Sequence, residues 1–321
     1  MSIKKKIKHA FFSRPKGILL FYRLRILREK RCVGKEDDYH FICRIFRERY
    51  GREIDLSTPS TYSEKLQWLK LFYHDPIMEV CSDKYAVRDY VKQQGHEELL
   101  NECYGVYENA NDIDFESLPN RFAAKATHGS SWNLICKDKS KLDIKTWKKI
   151  MNQWLKLNLY VFGREWNYKN IKPRIIIEKY LDKEPLIDYK FMCFDGEPKF
   201  MQINNDFEGK HYVDFFDMDW NYAGFTYRGY TTSNNHKVEK PEGFEEMKAL
   251  AKEFAKPFPF VRVDFYRVDG KTIFGELTFF PGGGVSPMVP NGDKFDREFA
   301  KWITLPEPNY NLDLLKKIQE G

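Results

Sequence analysis

The chain has 321 residues, and no run in it approaches the roughly 18 to 20 consecutive apolar residues of a membrane-spanning helix. Six cysteines, at positions 32, 43, 81, 103, 136 and 193, are scattered without a CxxC pair. That spacing argues against a zinc ribbon or a disulfide scaffold and for reduced, mostly buried thiols in a cytoplasmic protein. The Walker pattern GxxxxGK[ST] is absent, and no Ser–His or Cys–His arrangement stands out. Internal repeats and low-complexity segments are also missing. Acid is scarce at the start: residues 1–35 hold twelve Lys or Arg against Glu29 alone, a charge of +11 in a chain whose total is +6. The remaining 286 residues therefore sum to −5, so the body does not read as a nucleic-acid binder. The beginning is basic rather than a secretory signal, since its apolar patch at Ile18 to Tyr22 is short and Arg23 and Arg25 follow at once.

What is present centres on Val261 to Gly284, VRVDFYRVDGKTIFGELTFFPGGG. Two apolar strands are joined by a turn, and each carries a carboxylate. Val261, Val263 and Phe265 fall on one face of the first strand, and Arg262, Asp264 and Tyr266 on the other. Strict alternation in the second strand puts Phe274, Glu276, Thr278 and Phe280 together. Charges are rarely buried unless they are paired or hold a metal, so Arg, Asp and Glu on one sheet face read as a site. A two-residue Asp269-Gly270 turn, the favoured one, pairs Asp264 with Gly275 and sends Glu276 to the other face. A shared site therefore requires an odd-length turn or a bulge.

Elsewhere the chain reads as mixed helix and strand. Residues 1–50 interleave cations with Ile, Phe, Leu and Tyr, which suits either a helical arm packed on the body or contact with an anionic membrane. Thr61 and Glu64 have the spacing of a capping box before a helix. A second helix is expected from about Ser82, with Lys84 and Arg88 one turn apart on a solvated face. Asn120 to Asn133 reads as a strand ending in a small-residue loop, where Lys125 beside Gly129 and Ser130 suits phosphate. A helical period covers 142–158. Buried strands follow at Arg174 to Leu181, Asp188 to Phe194, Lys199 to Asn204 and Tyr212 to Phe216, then an amphipathic helix over 241–256 and a last one near Leu312 to Ile318.

Four stretches in this order, TYSEKLQWLKL (61–71), CSDKYAVRDYV (81–91), LIDYKFMCFDGEPK (186–199) and VRVDF…FGELTFFPGGG (261–284), resemble the ATP-grasp superfamily and most closely its TupA-like branch of bacterial surface-polysaccharide enzymes. The likeness runs from about Tyr39 to Pro290. It implies an α+β fold in which two lobes, about 77–175 and 176–290, clamp a nucleotide. A basic helical region (1–76) precedes them and a tail with a short helix (291–321) follows. The roles it implies are Lys84 and Lys125 on the α- and β-phosphates, with the loop of His128, Gly129 and Ser130 closing over them. Glu178, Lys179 and Leu181 would form the hinge at the adenine edge. Asp188 would take the ribose hydroxyls and Lys190 a further phosphate. Asp264 and Glu276 would hold magnesium, with Thr278 where many relatives have Asn, and Arg262 would stabilise the group in transfer. The implied reaction is ATP- and Mg-dependent joining of a carboxylate to an amine through an acyl-phosphate. The implied substrate is an amino-acid or uronic-acid unit of a surface glycan, and the implied location is the cytoplasm, at the inner face of the membrane or free of it.

Two other readings compete. Asp217-Met-Asp219 has the DxD form with which glycosyltransferases hold a metal and a sugar nucleotide, although such a triplet is usually a solvated turn. A sugar phosphotransferase on the same fold is the second. Arg164, Trp166, Tyr168 and Arg174 are candidates for substrate selection, and the aromatics among them also read as core.

Overall fold

A computed structural model describes residues 15–32, 34–183, 186–207, 210–233 and 238–320; the basic residues 1–14 lie outside it. The helices are α1 (Pro15–Cys32), α2 (Asp38–Tyr50), α3 (Tyr62–Phe72), α4 (Pro76–Ser82), α5 (Val87–Gln93), α6 (Ile144–Trp154), α7 (Tyr160–Gly163), α8 (Phe244–Ala255), α9 (Gly292–Ala300) and α10 (Leu312–Glu320). The strands are β1 (Cys103–Tyr107), β2 (Phe122–Ala126), β3 (Asn133–Cys136), β4 (Ile175–Lys179), β5 (Asp188–Phe194), β6 (Glu197–Phe207), β7 (Lys210–Asp217), β8 (Thr226–Tyr227), β9 (Phe260–Val268), β10 (Lys271–Thr278) and β11 (Met288–Val289). No helix among the described residues is long and apolar enough to cross a membrane. Cys81, Cys136 and Cys193 are buried, Cys43 and Cys103 half-buried, and all five are free thiols.

Two antiparallel sheets organise the molecule. The first has the order β1-β4-β2-β3, the second β10-β9-β5-β6-β7. A division at 175/176 would cut β4, whose five residues all pair within the first sheet, so that lobe runs on to Lys179. Its core joins Phe122, Ala124, Ala126, Ile175 and Ile177 to Trp147, Ile150, Met151 and Trp154 of α6. Helix α1 lies across α6, with Tyr22 edge-on to Trp154 at 5.9 Å.

The second sheet has two unlike faces, as period-2 alternation requires. Phe191, Val261, Val263 and Phe265 face α8, where Phe244 and Phe254 meet them. The other face is apolar at one end and charged at the other. Phe194 and Phe260 form the apolar end and pack against Tyr62 of α3 and, through Phe194, against Phe299 of α9. Thr61 and Glu64 form the expected capping box on α3. Ser63 bonds Asp296 through both its backbone N (3.0 Å) and its hydroxyl (2.8 Å). Neither the helical region before residue 77 nor the tail after 290 stands free, because α3 and α9 close the same core. The helix expected from Ser82 begins only at Val87, because α4 ends at Ser82 and Asp83 holds a turn after it by accepting from the Tyr85 backbone N at 2.8 Å.

Phe194 touches Tyr62, Phe260, Phe299 and Trp302 and is 1 % exposed. Phe194→Ala should lower stability by about 3–5 kcal/mol in urea denaturation. A loss under about 1 kcal/mol would show that α3 and α9 do not depend on this core.

Candidate active site

The hairpin β9–β10 settles the register question. Asp269 (φ 50°) and Gly270 (φ 73°) form the two-residue turn that local sequence favours, and Val268 pairs with Lys271. Phe274 then pairs with Phe265, but Glu276 pairs with Asp264, because Gly275 is an extra residue in the strand. Phe274 and Glu276 therefore face opposite ways rather than sharing a face. A β-carbon on Gly275 would sit 2.8 Å from the Asp264 carbonyl oxygen, so glycine suits the bulge. The bulge sets Asp264, Glu276, Arg262 and Thr278 side by side.

Around Arg262 the contacts are dense. Its Nε donates to Asp264 Oδ1 at 2.7 Å, and its Nη2 reaches Asp264 Oδ2 (2.6 Å), Glu276 Oε1 (3.1 Å) and Thr278 Oγ1 (3.1 Å). Lys190, on neighbouring β5, pairs with Asp264 at 2.8 Å and also with Asp188. Lys84 donates to Glu276 Oε2 at 3.3 Å and to the Gly129 carbonyl at 3.1 Å. Burial opposes the charge of Glu276, yet Lys84, Arg262 and Lys190 hold it well below the usual carboxylate range. Burial likewise opposes the charge of Arg262, but Asp264, Glu276 and Asp188 keep it above its ordinary value. Asp188 goes the other way: burial, with Asp264 beside it, pushes its carboxyl up to about 6.

Opposite this face stands the first sheet. Lys125 on β2 and Glu178 on β4 pair at 2.7 Å, and Arg88 lies 3.7 Å from the other Glu178 oxygen. The Lys84 backbone N donates to Thr127 O at 3.1 Å and ties the α4–α5 turn to that lobe. Between the sheets lies a cleft of about 300 Å³, the lower end of the range for small-molecule sites. It gathers Lys84, Lys125, Ser130, Glu178, Leu181, Asp188, Lys190, Arg262 and Glu276 from the expected set. Five cations (Lys84, Arg88, Lys125, Lys190, Arg262) face four carboxylates (Glu178, Asp188, Asp264, Glu276), a cationic excess that suits a polyanion.

Several expected positions fall differently. His128 is buried inside the first lobe, bonded to Trp154 O at 3.0 Å and edge-on to Trp132, so its ring supports the loop from behind. Gly129 offers its carbonyl to Lys84, and a side chain there would collide with Trp132. Lys179 alternates outward to Glu102 at 3.5 Å, while its backbone N and O bond Glu102 O and Asn101 Nδ2, both at 2.9 Å. Arg88 lines the cleft rather than a solvated face. Asp217 is turned into its own turn, accepting from the backbone N of Asp219 (3.0 Å) and Asn221 (2.8 Å), and lies outside the cleft. It forms the usual solvated turn, apart from the cluster around Arg262.

A second cavity of about 360 Å³ shares Ser130, Arg262 and Glu276 with the cleft. Glu165, Tyr168, Thr278, Gly282 and Gly283 line it, beside Phe41, Ile45, Phe162 and Phe280. Of the four candidates for substrate selection only Tyr168 reaches it. Arg164 is buried against Glu36 O (3.1 Å), Trp166 stacks on His74 (4.2 Å), and Arg174 pairs with Asp83 (2.6 Å). Glu165 escaped the sequence reading because nothing in its neighbourhood breaks a pattern. Burial pushes it up to about 7, against the pull of Lys70. Lys70 itself donates to Gln67 (2.9 Å) and to the Gly163 (3.1 Å) and Gly283 (2.7 Å) carbonyls.

Among the described residues no three His, Cys, Asp or Glu side chains gather as a metal centre. Asp264, Glu276 and Thr278 nonetheless offer adjacent oxygen donors, two of them carboxylates, which suits a hard cation that keeps part of its water shell.

Two antiparallel sheets facing each other across a cationic cleft, with an Arg–Asp–Glu cluster at its base, define a nucleotide-clamping enzyme of the ATP-grasp class. The model of the family "TupA-like ATPgrasp" matches residues 64–304, and the chain belongs to that family. Its class joins carboxylates to amines at the expense of ATP. Among solved structures it is similar to D-alanine–D-alanine ligase from Helicobacter pylori (14 % identity, 77 % of this chain and 70 % of that one, TM-score 0.40). It is also similar to the ATP complex of the Bacillus anthracis enzyme (14 %, 80 % and 70 %, 0.42) and to an L-amino acid ligase from Bacillus licheniformis (12 %, 64 % and 42 %, 0.37). No curated protein matches the chain.

Gly275→Val should straighten or unseat the bulge and turn Glu276 away, so nucleotide affinity should fall at least about ten-fold in calorimetric titration. Unchanged affinity would mean that the register does not govern the site. Because the folded value of Asp188 is raised, its contribution to stability is complete below the ordinary carboxylate range and is lost as pH rises through about 6. Asp188→Asn should therefore stabilise the nucleotide-free protein at about pH 8 and give no such gain at about pH 4, as read by urea denaturation.

Proposed function

We propose that this enzyme phosphorylates a carboxylate with ATP and passes the acyl group to an amine, modifying a bacterial surface polysaccharide with an amino acid or peptide. The observation that carries the reading is the position of Arg262 and Glu276, which line both the nucleotide cleft and the second cavity. A group held there can meet the terminal phosphate from one side and an acceptor from the other.

In this reading Lys84 and Lys125 hold the α- and β-phosphates, and the Gly129–Ser130 loop covers them. The backbone of Glu178 to Leu181 meets the adenine edge, Asp188 takes the ribose hydroxyls, and Lys190 contacts a further phosphate. Asp264 and Glu276, with the Thr278 hydroxyl, would hold magnesium, which when bound neutralises the phosphate oxygens. Arg262 stabilises the charge that develops as the phosphoryl group leaves ADP for the carboxylate. The amine then attacks the acyl carbon, the C–O bond to phosphate breaks, and an amide and inorganic phosphate result. The second cavity takes the acceptor, with the Gly282–Gly283 turn as its floor and Glu165 on its wall. The acceptor is an amino-acid or uronic-acid unit of a cell-envelope or capsule glycan, and dependence on ATP fits a cytoplasmic reaction.

The test is ADP release from ATP with magnesium in the presence of carboxylate and amine together. Release should require both, fall at least about a hundred-fold in Asp264→Asn and persist in Asp217→Asn. Turnover with a sugar hydroxyl alone would make the enzyme a phosphotransferase and overturn the ligase reading.

A further inference from the structure

The basic start of the chain has no part in the cleft, yet α1 is built into the fold with two unlike faces. Its inner face carries Ile18, Leu19, Tyr22 and Ile26 against the first lobe's core. On that side Arg25 lies over the rings of Phe162 (4.1 Å) and Trp132 (5.4 Å), and Glu29 accepts from the Asn158 backbone N at 3.1 Å. The outer face consists of Leu20, Arg23, Leu24, Leu27, Arg28 and Arg31, all exposed. These positions fall on one stripe at helical spacing, three leucines among three arginines with no acid. Leu20, Leu24 and Leu27 are 47 %, 57 % and 53 % exposed, so a row of large apolar side chains stands in water.

Beside this stripe α6 adds more positive charge. Among the described residues, a groove between α1 and α6 is lined by Arg23, Lys145, Lys148, Lys149 and Lys156 together with Asn111, Asn152 and Gln153. Lys145, Lys149 and Lys156 are exposed. A polyanion alone would explain the cations but not the leucines, and an apolar protein partner would explain the leucines but not a stripe and groove free of acid. A surface that offers both apolar depth and negative charge is an anionic bilayer.

We propose that the α1–α6 face is a peripheral membrane-docking surface. Leu20, Leu24 and Leu27 insert among the acyl chains next to the headgroups, while Arg23, Arg28, Arg31, Lys145, Lys149 and Lys156 meet anionic headgroups. The face lies on the first lobe and shares no residue with the nucleotide cleft or the second cavity. The proposal therefore holds or fails independently of the ligase chemistry.

The experiment is co-sedimentation of the full-length protein with phosphatidylcholine vesicles and with vesicles of phosphatidylcholine and phosphatidylglycerol. Two surface variants are compared, Leu20→Ser/Leu24→Ser/Leu27→Ser and Arg23→Gln/Lys145→Gln/Lys149→Gln/Lys156→Gln. The wild type should bind the anionic vesicles and not the neutral ones, with binding weakened by salt, and each variant should lose at least about ten-fold in affinity. Nucleotide affinity measured on the same preparations should be unchanged, which shows that the variants are folded. Equal binding to both vesicle types would overturn the proposal, as would anionic binding indifferent to the leucines, since that is a polyanion site. Self-association abolished by the leucine variant without vesicle binding would also overturn it, by assigning the face to a second copy of the chain.

Discussion

The site depends on one buried arrangement of charge: Arg262 held between Asp264 and Glu276 on neighbouring strands, with Lys190 and Lys84 completing the pairing. Removing one member would leave another charge buried without a partner, which costs far more than a surface pair contributes. The pairs also explain why carboxylates can occupy strand positions that usually carry Val or Ile. The same cations that make Asp264 and Glu276 tolerable in the free protein are available to phosphate oxygens, so charge can be redistributed when a polyanion enters without being created anew. The bulge at Gly275 makes the arrangement possible. A turn chosen for local stability and a pairing required by the site differ by one residue, and the strand absorbs the difference beyond the turn.

Much of this was legible in the sequence because it rests on short-range rules. The capping box at Thr61, the alternation in β9, and the need for an odd turn or a bulge follow from periods and from the cost of buried charge. The odd-turn alternative did not occur; the bulge did. What could not be read depends on distant segments meeting. Lys84 and Arg88 have the spacing of a solvated helix face, and only the approach of β4 gives Arg88 the carboxylate of Glu178. His128 sits in a loop suited to phosphate, but α6 draws the imidazole inward through the Trp154 carbonyl. Glu165 carries no local signal, because its place on the wall of the second cavity depends on Lys70, some ninety residues earlier, and on the glycine turn after β10.

The two cavities divide the chemistry by polarity. The cleft is lined mainly by charged and polar groups from both sheets, whereas the second cavity sets aromatic and aliphatic walls around Glu165, Tyr168 and the shared Arg262 and Glu276. A reactive acyl intermediate formed at their junction would be screened from water on its acceptor side by Phe41, Ile45 and Phe162, which limits hydrolysis. Two of those three side chains come from α2, so the helical region ahead of the lobes lines the second cavity as well as the core.

The closing of one core by α3 and α9 has a consequence during synthesis. The four strands of the first sheet are complete once Lys179 has left the ribosome, when β4 can pair with both β1 and β2. Helix α3 emerges more than a hundred residues before Phe194 and more than two hundred before Phe299, the rings that cover Tyr62. Until then its apolar residues have no permanent partner. A nascent chain therefore passes through a long interval with one lobe able to fold and an exposed helix waiting for the other, the interval in which chaperones bind or aggregation begins.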